Sequence, residues 1–164
     1  MTLNSIRKPF EAVLELLMLA LMVALALVVI VGVGFRKAGA ALVWYDEVAS
    51  VLLAWLTYYG ASYAALKRAH IGFPKVVQSV TPNLQITLTL AREAIVIAYF
   101  VTVAWAGWQV LQILQGVYLT SLPSVPARLT QSVIPIGATL FIVAELLSFT
   151  DIWRGLTARN GTHR

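Results

Sequence analysis

Cysteine is absent from the 164 residues, which excludes disulfides, thiolate metal sites and cysteine nucleophiles. Charge is scarce. Asp, Glu, Lys and Arg make up 12% of the chain, about half the roughly 25% of a soluble domain. Histidine occurs only as His70 and His163, at the end of an apolar run and in the tail. A membrane haem needs paired histidines inside spans, so a redox anchor is disfavoured. HExxH, a Ser/His/Asp set and a phosphate loop are also missing, so nothing points to an enzyme. There is no internal repeat, heptad or low-complexity segment. What the chain has is apolar surface: 60% hydrophobic residues and a mean hydropathy of +0.83. This is the composition of an integral membrane protein. The net charge of +5 is no nucleic-acid footprint, because the bases cluster at the ends of apolar runs, where anionic lipid headgroups meet them.

The runs predict an all-α, four-transmembrane-helix bundle forming a single membrane domain over 1–164, with spans about 11–35, 46–67, 84–118 and 129–152. The first, with Arg7-Lys8 ahead of it, resembles a signal peptide, but its uncharged stretch from Leu16 to Gly34 exceeds a signal core of roughly 7–15 residues. It reads as a retained span. The second has the most explicit polarity. Nineteen uncharged residues, Val48 to Leu66, cover roughly 28 Å at about 1.5 Å each, close to the hydrocarbon thickness. Trp44, Asp46 and Glu47 mark one end, and Lys67, Arg68 and His70 the other. The short link Arg36–Val43 makes the first two spans antiparallel neighbours.

Phe73, Val76, Val77 and Val80 then recur at helical spacing opposite Lys75, Gln78 and Ser79, which predicts an interfacial helix over about 73–80. Thr81-Pro82 reads as an N-cap followed by proline at the first helical position. The third run, charge-free from Ala94 to Tyr118, is long enough that it must tilt or project. Residues 119–126, with two prolines and two serines, form a loop. Pro135 predicts a kink in the last run, and the tail beyond Asp151 and Arg154 is expected to fray. Leaving Arg92 aside, eight bases fall on one side of the predicted spans and three on the other. The positive-inside rule puts both termini in the cytoplasm.

Charges inside spans are costly and mark functional hypotheses. Glu15, Arg92 and Glu145 are expected at similar depths, roughly 10–14 Å from the inner charged ring for the two acids. They form a predicted intramembrane charge network in which Arg92 pairs with Glu145 or Glu15. The bland reading is that Glu15 and Glu93 reach the inner headgroups. Asp46 and Glu47 complement the helix dipole and Arg36-Lys37, or they contact a partner at the outer face; physics alone favours the first. Gln109, Gln112 and Gln115, beside Trp105 and Trp108, suit either another helix or the outer interface. Ala20/Ala24, Gly60/Ala64 and Ala61/Ala65 offer small-residue packing faces. His70 reads as an interfacial residue.

Trp44, Glu47, Trp55, Gly60-Ala61, Arg68 and His70-Ile71, in that order and spacing, resemble the signature of the small membrane subunit, the DctQ-type small permease, of tripartite ATP-independent periplasmic (TRAP) transporters. Leu122-Pro123 and Ile134-Pro135-Ile136-Gly137 add a second match, and the resemblance covers nearly the whole chain. Tyr58-Tyr59 departs from it, being more polar than the residues usual before Gly-Ala.

The resemblance implies a subunit of the bacterial inner membrane that braces a large polytopic transport subunit. That partner uses a sodium gradient to take up an organic acid bearing a carboxylate, which a periplasmic substrate-binding protein delivers transiently. Trp44, Asp46, Glu47, Trp55, Gly60, Ala61, Arg68 and His70 are then partner-facing or structural residues. The chain itself needs no cofactor, and membrane lipids are its other contacts. The rival is a stand-alone small proton-coupled exporter, working as a homodimer through Glu15.

Overall fold

The computed structural model of the protein describes residues 2–67 and 82–161. These fold into α1 (Thr2–Lys37), α2 (Tyr45–Leu66), α3 (Pro82–Ile113), α4 (Ala127–Gln131) and α5 (Val133–Gly161), with no β-strand among the described residues. The expected interfacial helix over 73–80, together with Arg68 and His70, lies outside them. Among the described residues three stretches are long and apolar enough to cross a membrane: Arg7–Lys37, Ile86–Ile113 and Ala127–Phe149. α2 is not among them. At 22 residues it has the length, about 33 Å, but Trp55, Thr57, Tyr58, Tyr59, Ser62 and Tyr63 dilute its apolar character.

The packing explains why α2 tolerates those groups. α1 packs on α2, α2 on α5, and α5 on α3. The helices thus stand in a row, with α2 and α5 inside and α1 and α3 on the flanks, rather than in the closed bundle that four apolar runs suggested. The flanking helices leave Leu16, Ile30, Ile95 and Trp105 exposed. α2 instead buries Tyr59, Ser62, Ala65 and Leu66. One apolar cluster joins Leu14 and Leu21 of α1 to Tyr59 of α2 and Val133 of α5; a second joins Ala65 and Leu66 to Phe141 and Ala144. Phe100 of α3 stacks on Phe141 of α5 with ring centroids 3.7 Å apart.

Several helix limits differ from those read in the sequence, each for a local reason. α1 begins at Thr2 rather than near residue 11, because its polar lead is anchored to the end of α2: Phe10 packs against both clusters, Arg7 donates to the Leu66 carbonyl at 2.9 Å, and Lys67 pairs with Glu11. α3 ends at Ile113, five residues short of Tyr118. Gly116 with φ 80° turns the chain there, in a left-handed region that favours glycine. Beyond it Ala127 donates to the Val117 carbonyl and Leu119 to the Val125 carbonyl, closing the loop on itself. The last run divides into α4 and α5. Pro135 is the third residue of α5, where its missing N–H has no intrahelical partner to lose, so no interior kink follows from it. The expected fraying beyond residue 152 also gives way to helix, as α5 continues to Gly161.

The closest helix approaches are made by glycines outside the small-residue pairs noted above. A Cβ on Gly137 of α5 would lie 2.6 Å from Tyr58 Cβ of α2, and one on Gly107 of α3 would lie 2.9 Å from Pro135 Cδ of α5. A Cβ on Gly60 would meet only Met18 Sδ, at 3.8 Å. Gly137→Ala is therefore expected to destabilise the chain by about 1–3 kcal/mol through overpacking, seen as a lower thermal midpoint in detergent. Gly60→Ala is expected to leave that midpoint in place, and equal losses would contradict the assigned crossing point.

Candidate functional site

The residues singled out along 44–61 act chiefly to seat α2 among its neighbours. At its start, half-buried Trp44 is the N-cap residue and makes no side-chain capping bond. Asp46 is exposed, 3.8 Å from Arg36, and the Arg36 guanidinium also lies 5.3 Å from the Tyr45 ring centroid. Glu47 turns the other way. Its carboxylate accepts from the backbone N–H of Thr120 at 3.2 Å and of Ser121 at 2.8 Å, and also from the Ser121 hydroxyl. Adjacent acids that look equivalent in sequence thus divide: one faces outward, while the other clasps the α3–α4 loop. An ionised carboxylate is acceptor-only and suits two backbone donors in a turn.

About two turns further along, the Trp55 indole donates to the Thr130 carbonyl at 2.9 Å. Thr130 is buried and lies in the last turn of α4, whose final carbonyls have no partner within the helix. Trp55 also meets Tyr59 edge-on, with ring centroids 6.1 Å apart. Ala61 packs beside the second apolar cluster. The Ser62 hydroxyl is shared between its own helix, at Tyr58 O, and α5, at Gly137 O. At the C-terminal end of α2 the Ser148 hydroxyl of α5 reaches the Ala65 and Leu66 carbonyls at 3.0 and 3.2 Å, and Arg7 of α1 also donates to Leu66. α2 is hydrogen-bonded at both ends to other segments.

Among the intramembrane charges, the structure brings Arg92 and Glu145 together and leaves Glu15 apart. Arg92 Nη2 lies 3.2 Å from Glu145 Oε1 and 2.9 Å from Glu93 Oε1. Glu145 and Glu93 are both buried, and Glu93 turns into the α3–α5 seam with Arg92 and Glu145. Glu15 is exposed on α1, on the side of Lys67. Gln109 and Gln112 are exposed on the last turns of α3, as are Trp105 and Trp108.

The remaining space is apolar. A hollow of about 250 Å³ between α1, α2 and the outer loop is lined by residues including Leu21, Leu52, Trp55, Leu122 and Leu129. No group of three or more metal-ligating side chains converges among the described residues. The arrangement can hold helices in register. Sequence reasoning missed Arg7, Ser62, Ser148 and Thr130. The only signal for the serines was a hydroxyl inside an apolar run.

The sequence model of the DctQ component of tripartite ATP-independent periplasmic transporters matches residues 25–155. A search among curated proteins found no match.

Two substitutions test the seating of α2. Trp55→Phe keeps the ring but leaves the buried Thr130 carbonyl unpaired, at an expected cost of about 1–3 kcal/mol in thermal unfolding. Glu47→Ala is expected to speed hydrogen exchange at the Thr120 and Ser121 amides, and Asp46→Ala to leave it unchanged. Equal exchange in the two variants would remove Glu47 from the clasp.

Proposed function

The chain belongs to the DctQ component family of the tripartite ATP-independent periplasmic transporters, and we propose that it is the fixed brace of such a transporter rather than a carrier. The family is that of the small permease subunit of a membrane transport system, and in this reading the chain works alongside a large membrane subunit and a periplasmic binding protein. The observation that supports the brace is the seating of α2. Its outer end is held by Glu47 on Thr120 and Ser121, and its inner end by Arg7 and Ser148. A scaffold needs helices fixed in register and broad apolar flanks for a partner or lipid, and α1 and α3 present such flanks.

In this reading α2 is a fourth span, shielded by α1 and α5, which is why it need not be as apolar as the others. Both termini are cytoplasmic, as the distribution of Lys and Arg favours. Trp44 and Asp46, together with Arg68 and His70 beyond the described residues, are the members of the motif left to meet a partner or the headgroups. The large subunit carries an organic acid with a carboxylate, coupled to sodium entering the cell. Nothing favours the exporter, because Glu15 lies exposed on a flanking helix where a carrier acid would have to line a cavity.

A gentle-detergent pull-down of the tagged chain from its native membrane tests the proposal. Recovery of a larger polytopic protein in about equal amount, identified by mass spectrometry, is the expected result; a homodimer alone would overturn it. In the same assay Glu145→Leu is expected to lower complex yield several-fold, because it leaves Arg92 with one fewer partner inside the membrane. Asp46→Asn is expected to change it little.

A further inference from the structure

The α3–α5 seam carries two carboxyl groups and one guanidinium. Glu93 and Glu145 accept from the same nitrogen of Arg92, at 2.9 and 3.2 Å, so the two carboxyl groups converge on one donor. With both acids ionised, the trio would hold an uncompensated negative charge between two helices that cross hydrocarbon, an arrangement disfavoured strongly enough that a buried group neutralises instead. A second, separate observation concerns one atom: Glu93 Oε2 is fully buried and has no hydrogen-bond partner. A buried carboxylate oxygen left without a donor is anomalous in the same direction.

Among the described residues a second positive charge is thus missing, and burial decides what can supply it. The residues Glu93 and Glu145 are only 4% and 5% exposed, which leaves no approach for a lysine or arginine from another chain or for a hydrated metal ion. Arg92, with its side chain 55% exposed, covers the pair from the surface. A proton needs no such approach. We propose that Glu93 and Glu145 form a proton-binding site, with one proton shared between their carboxyl groups at neutral pH. Placed on Glu93 Oε2, the proton donates to the Glu145 carboxyl, and the orphaned oxygen gains its partner. The remaining single negative charge matches Arg92, and the seam is neutral as a whole. Two like acids in one site resolve their repulsion in this way.

Infrared spectroscopy of the full chain in lipid nanodiscs at neutral pH tests this directly. The expected result is a carbonyl stretch of a protonated carboxylic acid that shifts in heavy water. It should be lost completely in Glu93→Gln and equally in Glu145→Gln. With one acid gone, the other faces only Arg92 and ionises. A wild-type spectrum without that band overturns the proposal, and so does a band that persists in either variant. Should one variant fail to insert, the wild-type band and the other variant still decide the matter.

Discussion

Buried inside the protein, a backbone carbonyl has no water to turn to, and each one left unpaired costs about 1–3 kcal/mol. The architecture depends on how that constraint is met at the ends of α2. The last carbonyls of a helix have no partner within it, and α2 ends by presenting Ala65 and Leu66 to α5 and α1. Ser148 and Arg7 answer them. Because those donors come from different helices, satisfying the end of α2 fixes the height of α1 and α5 relative to it. The apolar clusters around Leu14, Tyr59, Phe141 and Ala144 then fill the space so defined. At the opposite end Glu47 and Trp55 do the equivalent for the outer loop and α4. Packing gives these contacts their density, but polar satisfaction gives them their register.

This arrangement separates two kinds of helix within one short chain. α1 and α3 are apolar on most faces and touch the rest of the protein along one side. α2 carries tyrosines, serine and tryptophan inward and is correspondingly less apolar. In water the second kind would be the ordinary one. In lipid it identifies the helix with protein on two sides, since a hydroxyl facing hydrocarbon gains nothing while one facing a neighbouring carbonyl secures it.

Much of this was legible in the sequence, and what was not has physical causes. Charge-free runs announce apolar helices because charge is so costly in hydrocarbon, and a lone Arg92 with Glu145 in another run announces a pair for the same reason. Trp44, Glu47 and Trp55 were conspicuous, though their separate tasks were not. A carboxylate at 46 and one at 47 differ by about 100° around a helix, and only the fold decides which meets a loop. The order of the helices was hidden because association in lipid uses small residues without a strict period. Gly137 and Gly107 make the tight crossings, whereas Gly60, inside the family motif, does not. The limits of α1 and α3 moved where tertiary anchors and a single turn glycine overrode the hydropathy pattern.

Ser62 bonds both to Tyr58 within its own helix and to Gly137 of α5, and Arg7 alone can cover the Leu66 carbonyl. The N-terminal half of the chain, which leaves the ribosome first, thereby carries provisional partners for its own polar groups. An α1–α2 hairpin can rest in the membrane before any later helix has been made. α5 arrives after about seventy further residues, a delay of seconds at the usual pace of synthesis. Ser62 then shares its hydroxyl with Gly137, and Ser148 takes up its place on α2. The order of synthesis and the order of docking coincide: Arg7 covers Leu66 from the outset, and Ser148 completes the helix end by reaching Ala65 when α5 arrives.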